Sequence, residues 1–263
     1  SAPRFETIVL RGRETAGQYG AMRKGFAESR GQFVVFLDAD DTLAEDFVAA
    51  NVACHLSTAV YAALSTSDQW IVDAEGRMLG VNPRRQFYPF MSLPKRLIAR
   101  HAIENAPLGQ RFEADLIAAD ANWGGFWIWG TTSSMMFRRD VLALIMAEDI
   151  EMRISADDFL ANFAHAIGGT AVIDRVLGSY RRHGANNFAD NLVLGGFAPL
   201  MRDKRTKHHT PRSHIGACLA RDPARYREVL GERLFAVVVM RFCGVWRGIR
   251  ILRGNRVRRD YVL

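Results

Sequence analysis

The sequence predicts an α/β protein in which helices flank a mostly parallel sheet. The apolar run at residues 33–37, which is bounded by an acidic turn, is typical of a buried strand in a parallel sheet. Apolar residues at helical spacing over 21–30, with Gly31 as the predicted C-cap, indicate a helix before this strand. A β-rich segment at 5–10 precedes the helix. Strand, helix and strand in this order predict a right-handed parallel crossover.

The elements after the acidic turn are predicted to alternate between helix and strand. Residues 44–56 are typical of a helix, with Thr42 as its predicted N-cap and Glu45 three residues later, as in a capping box. Weaker strand signals follow at 61–66 and 70–73. Downstream we expect a turn at 73–77, a strand at 133–137, helices at 138–147 and 156–166, and a strand at 171–173 followed by a closing segment at 177–186.

Two regions depart from this alternation. Residues 82–110 hold four of the eight prolines and several basic residues, which predicts an irregular basic excursion. Residues 221–253 are predicted to be helical, with arginines recurring among apolar residues. We therefore expect a core over 1–188, a polar linker over 189–220 and a basic amphipathic helical region over 221–263.

Composition restricts the classes of function. The 263 residues are 49% hydrophobic, which is enough for a full core, and the net charge of +7 favours anionic partners such as nucleotides. Three scattered cysteines are too few for a disulfide framework or a zinc site, so we expect reduced thiols in the cytoplasm. The sequence contains no run of about 18 uncharged apolar residues, so we expect no membrane-spanning helix. No nucleic-acid recognition motif accompanies the basic residues.

Three carboxylates follow the predicted buried strand. Asp38 and Asp40 are two positions apart, so an extended backbone directs both to the same side, and Asp41 follows directly. The carboxyl ends of strands are where open α/β sheets bind ligands, and hard oxygen ligands suit a divalent cation that in turn suits a phosphate. A solvated turn that caps the next helix is the other interpretation of these carboxylates.

Two later stretches also carry chemistry. Asp157 and Asp158 begin a predicted helix, where a carboxylate serves either as a base or as a complement to the helix dipole. Arg181, Arg182 and His183 follow a predicted strand and are candidate donors to phosphate.

Segment 123–130 contains three of the five tryptophans, flanked by glycines. Tryptophans of this kind either pack in a core or expose a surface on which a sugar stacks. Both interpretations are open from the sequence.

The segment 231–263 combines apolar residues and tryptophan with regularly spaced arginines. This pattern fits an interfacial helix on the inner, anionic face of the cell membrane, and it fits equally a helix that packs on the core with its arginines extended. In the first case a lipid-linked or cell-envelope polysaccharide acceptor is favoured.

Taken in order, these motifs resemble family 2 glycosyltransferases of the GT-A (Rossmann-like) fold. The matching pieces are Lys24-Gly25 in a helix, a strand ending at 36–41, a Gly-rich segment before 136–139, the acidic pair 157–158 before a helix, and 180–186 after a strand. The resemblance covers roughly residues 5–188.

The resemblance implies inverting transfer of a sugar from a nucleotide-sugar donor to a glycan or lipid-linked acceptor hydroxyl. Asp38 and Asp40 match the DxD motif, with Asp38 towards the nucleotide ribose and Asp40 on a Mg²⁺ or Mn²⁺ ion. Asp158 matches the general base. The remaining implied contacts are His183 near the metal and diphosphate, Arg23 and Arg182 at the nucleotide-sugar, and Trp127, Trp129 and Asp157 at the acceptor.

The sequence departs from the family pattern in two places. The family normally begins with two further βα units, one of which carries an acid that grips the base, whereas this chain starts at what resembles the third strand. We therefore expect an N-terminally truncated core, and a non-catalytic remnant at the membrane is one alternative. In addition, only Arg23 partly matches the family's Ala-Arg-Asn-x-Gly pattern.

A phosphatase of the haloacid dehalogenase type is the second alternative. Its DxDxT nucleophile motif is present at residues 38–42, with Asp38 as the nucleophile and Asp40 as the acid/base. In that class the motif usually lies on the first strand of the sheet, and the segment 177–186 would have no role.

Overall fold

The computed structural model describes residues 6–9, 17–57, 61–82, 97–105, 109–121, 127–148, 150–152, 155–183 and 211–254. The strands are β1 (Phe33–Val35), β2 (Thr42–Leu43), β3 (Leu64–Val72), β4 (Met78–Asn82), β5 (Ile98–Asn105), β6 (Gln110–Ile117), β7 (Met135–Arg138) and β8 (Thr170–Arg181). The helices are α1 (Gly17–Glu28), α2 (Phe47–Leu56), α3 (Arg139–Met146), α4 (Ala156–Gly168), α5 (Pro211–Arg221), α6 (Pro223–Cys243) and α7 (Val245–Leu252). This mixture confirms the α/β class.

The strands form one mixed sheet in the order β1-β7-β3-β8-β6-β5, with β2 added to β8 and β4 added to β3. Strands β3 and β8 pair in parallel. The other pairings among the described strands are antiparallel, whereas the sequence predicted mostly parallel pairing. The difference arises because β7 runs antiparallel between β1 and β3, and because the β3–β4 and β5–β6 pairs are hairpins.

The strand before the acidic turn is shorter and more exposed than predicted. Only residues 33–35 are in β1, where Val34 alone is buried, and Leu37 is 51% exposed. Residues 6–9 are not in a strand, so the described residues do not form the predicted parallel crossover. Helix α1 ends at Glu28, with Ser29 N donating to the carbonyls of Gly25 and Phe26, so Gly31 is not its cap.

The predicted capping box before α2 is wrong, because Thr42 belongs to a strand. Thr42 pairs with Ser179 of β8, and the helix begins at Phe47 without a side-chain cap. Gly178 permits this pairing, since a Cβ there would lie 2.7 Å from the Thr42 carbonyl oxygen. The acidic turn is therefore tied to β8.

Several predicted elements are confirmed. Helices α3 and α4 match their predicted ranges, and the 73–77 turn closes the β3–β4 hairpin, with Asp73 Oδ1 accepting from the Glu75 and Arg77 amides. The weak strand signals at 61–66 and 70–73 belong to one strand, β3. The predicted irregular excursion is partly wrong because 98–105 and 110–117 form a hairpin, and its residues 83–96 and 106–108 lie outside the described ranges.

Helices α5 and α6 pack against α4, α7 packs on α6, and all three helices contribute to the main hydrophobic core. Tyr226 and Phe235 of α6 are fully buried in that core. Glu148, which is 5% exposed, accepts hydrogen bonds from the Tyr226 hydroxyl at 2.9 Å and from Arg221 at 2.8 Å. Within the described ranges, every helix is too short or too polar to cross a bilayer. All three cysteines are free thiols.

Candidate functional site

The acidic turn after β1 is held by hydrogen bonds from two distant segments. Asp41 Oδ1 accepts from the Arg181 amide at 3.0 Å, and its Oδ2 accepts from the Thr131 hydroxyl at 3.2 Å. The Asp38 amide donates to Ser133 Oγ at 3.0 Å. The turn is thus fixed between β8 and the 3₁₀ turn Thr132–Ser134.

Asp40 and His183, the two predicted metal ligands, lie side by side. His183 Nε2 is 2.8 Å from Asp40 Oδ2, and each side chain is about one-third exposed, at 32% and 35%. The backbone of Asp40 is held as well, since Arg181 Nε donates to its carbonyl oxygen at 3.0 Å. Both candidate ligands therefore face one another at the solvent edge of the turn.

Asp157 and Asp158 begin α4 beside this turn. Ser155 takes a left-handed conformation (φ 61°) and the Ala156 amide donates to Gln18 Oε1 at 2.9 Å, which fixes the start of the helix. Asp157 lies close enough to Asp38 for its charge to raise the pKa of Asp38, and its charge also raises the pKa of Asp158. The five carboxylates of the turn and of α4 form one region, which we call the acidic strip (Asp38, Asp40, Asp41, Asp157 and Asp158).

Burial and like charge raise the pKa values of this strip. Burial raises the pKa of Asp38 to about 7, with contributions from Asp41, Asp157 and Asp40. Burial and the Asp157 charge raise the pKa of Asp158 to about 6, although Arg212 and Asn162 act in the opposite direction. A cation bound nearby would relieve this crowding of negative charge.

Asp40 and His183 could hold a hard divalent cation only if substrate oxygens complete its coordination. Asp40 and His183 supply one carboxylate oxygen and one imidazole nitrogen. In the part of the chain that the structure describes, no group of three or more His, Cys, Asp or Glu side chains is placed to hold a metal. Mg²⁺ is commonly bound by one or two carboxylates together with substrate phosphates and waters, so two protein ligands are compatible with it.

Arg181 and Arg182 occupy different environments. The Arg181 guanidinium donates through Nε and Nη1 to the backbone carbonyls of Asp40, Asp73 and Ala74, so these two nitrogens brace the turn. Arg182 is 3% exposed and acts electrostatically on Tyr180, whose pKa is raised to about 12 by burial and by Asp41 and Asp40. Arg182 therefore lies near the acidic strip.

Sequence reasoning missed two residues that support the turn. Gln69 Oε1 accepts from the Thr131 amide at 3.1 Å and from its hydroxyl at 3.0 Å, and Thr131 in turn contacts Asp41. The signal in the sequence is five consecutive polar residues, 65–69, inside β3, all of them buried. Polar side chains in a central strand need specific partners, and for Thr66 and Gln69 these partners lie in the segment 130–134 beside the acidic turn.

The two predicted acceptor tryptophans, Trp127 and Trp129, differ in their exposure. Trp129 is fully buried, and its Nε1 donates to Thr170 Oγ1 at 3.1 Å, so its role as an acceptor platform is excluded by its lack of exposed surface. Trp127 is partly exposed and donates to the Gly130 carbonyl at 2.9 Å. Trp123 lies outside the described residues.

Arg23 lies on α1 next to a cavity of its own. Its guanidinium carbon is 6.0 Å from the centroid of the Tyr19 ring. The cavity, of about 380 Å³, is lined by Arg23, Lys24, Phe26 and Met146.

Comparison with known proteins gives two findings. The family model "Glycosyl transferase family 2" matches residues 3–75, which contain α1, β1 and the acidic turn. An uncharacterized glycosyltransferase of Nostoc sp. (strain PCC 7120) is 26% identical over 172 residues, covering 65% of this chain and 46% of the relative. The chain thus spans about half the length of this curated relative. These matches show that residues 3–75 are similar to family 2 glycosyltransferases, and the mixed α/β sheet is consistent with the GT-A fold.

Proposed function

We propose that this chain transfers a sugar from a nucleotide-sugar donor to a hydroxyl of a glycan or lipid-linked acceptor, with inversion at the anomeric carbon. The observation that supports the proposal most is the acidic strip, in which Asp38 of the turn and Asp157 of α4 interact electrostatically. One end of the strip offers a cation site, and the other offers a base. Both are needed to expel a diphosphate and to activate a hydroxyl.

The donor is assigned to the acidic turn. Asp38 faces the nucleotide ribose, and Asp40 and His183, 2.8 Å apart, would hold a Mg²⁺ or Mn²⁺ ion. When bound, that ion supplies neutralisation of the diphosphate charge. Arg182, whose charge acts on Tyr180 near the strip, is the further proposed donor contact. Arg23 is retained as a weaker proposal, since it lines a cavity on α1.

Asp158 is the proposed general base. Its carboxylate takes the proton of the acceptor hydroxyl as the new bond from that oxygen to the anomeric carbon forms and the bond to the diphosphate oxygen breaks. A carboxyl with a pKa of about 6 is mostly ionised at neutral pH, yet it is more basic than an ordinary aspartate. Asp157 and Trp127 are the proposed acceptor contacts.

We also propose peripheral binding to the anionic inner face of the cell membrane through α7. Trp246 at its start is 83% exposed and Val245 is 57% exposed, while Arg250 and Arg253 are exposed nearby. An exposed tryptophan among arginines fits the headgroup region of an anionic bilayer. The acceptor would then belong to the synthesis of a cell-envelope polysaccharide by a cytoplasmic enzyme.

Nucleotide binding and turnover test the proposal. A panel of nucleoside diphosphates with Mn²⁺ should raise the melting temperature, and Asp40→Asn should abolish the Mn²⁺-dependent part. Asp158→Asn should keep the nucleotide-dependent shift and lose sugar transfer. Absence of any nucleotide effect would instead support a non-catalytic remnant. Hydrolysis of an aryl phosphate that is lost in Asp38→Asn would support a phosphatase.

A further inference from the structure

The C-terminal helices place two arginines on one aromatic ring beside the acidic strip. The guanidinium carbon of Arg212, in the first turn of α5, lies 6.0 Å from the centroid of the Phe242 ring. The guanidinium carbon of Arg241, on α6, lies 6.0 Å from the same centroid. Because one ring is the neighbour of both groups, α5 and α6 fix two positive charges in a small region.

Arg241 is anchored with its charge partly buried. Its Nη2 donates to the Asp120 carbonyl at 2.7 Å and its Nη1 to the Ala119 carbonyl at 3.4 Å. These are neutral acceptors that use only two of its five N–H donors. Burial and the charge of Arg212 lower the pKa of Arg241 to about 10. The guanidinium is therefore preorganised, and a negative partner would favour its charged form.

Arg212 is exposed and adjacent to the proposed base. Among the described residues it forms no hydrogen bond or ion pair, although its charge reaches Asp158, whose pKa it lowers. The like charges of Arg212 and Arg241 repel one another, although the Asp158 carboxylate interacts with Arg212 and the Asp120 carboxylate acts on Arg241 in the opposite direction to Arg212. A bound dianion would remove this repulsion.

We propose that Arg212 and Arg241 form a phosphate subsite for the acceptor, so that the acceptor carries a phosphate group near the hydroxyl that attacks. This inference rests on the proposed function, and it names the acceptor class as a phosphorylated sugar or a phosphate-linked glycolipid. The donor diphosphate is assigned to Asp40 and His183, at the opposite end of the strip, so the two anionic groups use separate positive partners. Specificity for an anionic acceptor follows, because guanidinium groups bind phosphate through charge-assisted hydrogen bonds.

Calorimetric titration of the full chain with inorganic phosphate, in the presence of EDTA, tests the subsite. We expect the wild-type chain to bind phosphate, and we expect Arg212→Gln and Arg241→Gln to weaken binding about tenfold or more, as expected for charge-assisted hydrogen bonds. Arg233→Gln, which removes an exposed arginine elsewhere on α6, is the matched control and should leave the affinity unchanged. Arg212 is exposed, so its variant should fold even if Arg241→Gln does not.

Equal phosphate affinity in all variants, or no binding by the wild type, would overturn the subsite. The source of the phosphate is separated by vesicles: weaker binding of Arg212→Gln than of wild type to phosphatidylglycerol vesicles, with phosphatidylcholine vesicles as reference, assigns a lipid phosphate. Unchanged vesicle binding together with lost phosphate binding assigns a soluble phosphorylated acceptor. Nucleotide stabilisation without phosphate binding refutes the subsite alone, whereas phosphate binding without nucleotide stabilisation refutes the proposed function.

Discussion

Two regions of this molecule hold carboxylates in opposite environments, one buried and one partly buried. Glu148, under the C-terminal helices, is surrounded by a tyrosine hydroxyl and by Arg221 and Arg225. Asp38, in the acidic strip, is surrounded by other carboxylates, and its side chain accepts no hydrogen bond from the described residues. Removing one partner of a paired buried charge destabilises a fold, whereas a partly buried charge among like charges is disfavoured until a cation or a proton neutralises it. The contrast supports the proposal that the strip is the functional region, whereas the Glu148 network fits a structural role.

Removing Glu148 should have the largest effect on stability. Glu148→Ala removes the acceptor of the buried Tyr226 hydroxyl and of Arg221 and the ion-pair partner of Arg225, and leaving a buried donor unsatisfied typically costs about 1–3 kcal/mol. Urea denaturation followed by circular dichroism measures the loss. Glu232→Gln is the control, because this carboxylate pairs with Arg227 while 79% exposed and should change stability by about 1 kcal/mol or less. Similar losses in both variants would contradict the structural role of Glu148.

Removing the proposed base should have the largest effect on turnover. Asp158→Asn should lower sugar transfer about 10²- to 10⁴-fold with little change in nucleotide binding, because the carboxylate acts on the acceptor proton. The wild-type rate should rise with pH through a midpoint near 6, since the pKa of Asp158 is raised to about 6 and only its ionised form accepts the proton. Release of the nucleoside diphosphate measures both.

Arg212 gives a control for this assignment. Its positive charge lowers the pKa of Asp158, so Arg212→Gln should move the midpoint of the pH profile to higher pH. A midpoint near 6 that persists in Asp158→Asn would assign the titration to another group.

The sequence correctly predicted the features that depend only on residues close together in the chain. Helices α3 and α4 follow from apolar periodicity, and the two acidic pairs were found because each lies within a few positions. The predicted cap at Thr42 failed because that residue pairs with Ser179, 137 positions away, and the gain of sheet pairing outweighs a cap. Local pattern contains no information about such a partner.

The supporting residues of the site were missed for the same reason. Gln69 and Thr131 are 62 positions apart, and neither stands in a recognisable motif. The sequence left Trp129 open between core packing and an acceptor platform, and its buried position depends on Thr170, which β8 supplies. Contacts between segments distant in sequence decided all three cases.

Neutralising Asp38 should stabilise the protein in the absence of divalent cations. Asp38→Asn keeps the size of the side chain and removes a charge that Asp41, Asp157 and Asp40 repel. The free energy of unfolding in EDTA should rise by about 1 kcal/mol or more, the equivalent of one pKa unit. Nucleotide-dependent stabilisation should be lost in the same variant, so a gain in stability would accompany a loss of binding. A variant that is less stable than wild type in EDTA would show that the strip is not strained.

Thr131→Val should have the smallest effect and should sharpen the boundary between the two regions. The Thr131 hydroxyl has one proton, which it can donate either to Asp41 at 3.2 Å or to Gln69 at 3.0 Å, so its loss should cost about 0.5–1.5 kcal/mol, the usual contribution of one hydrogen bond. The amide of Thr131 still donates to Gln69, and the Arg181 amide still holds Asp41. The turn should therefore keep its place, while Asp41 loses one of its donors and becomes harder to ionise. We expect urea denaturation to show a small loss in the free energy of unfolding. We also expect a smaller Mn²⁺-dependent rise in melting temperature with nucleotide, because a fixed Asp41 helps to keep Asp38 and Asp40 in position. Complete loss of nucleotide binding would indicate that the turn has lost its structure. The Thr131 hydroxyl would then be as important for stability as the Glu148 network.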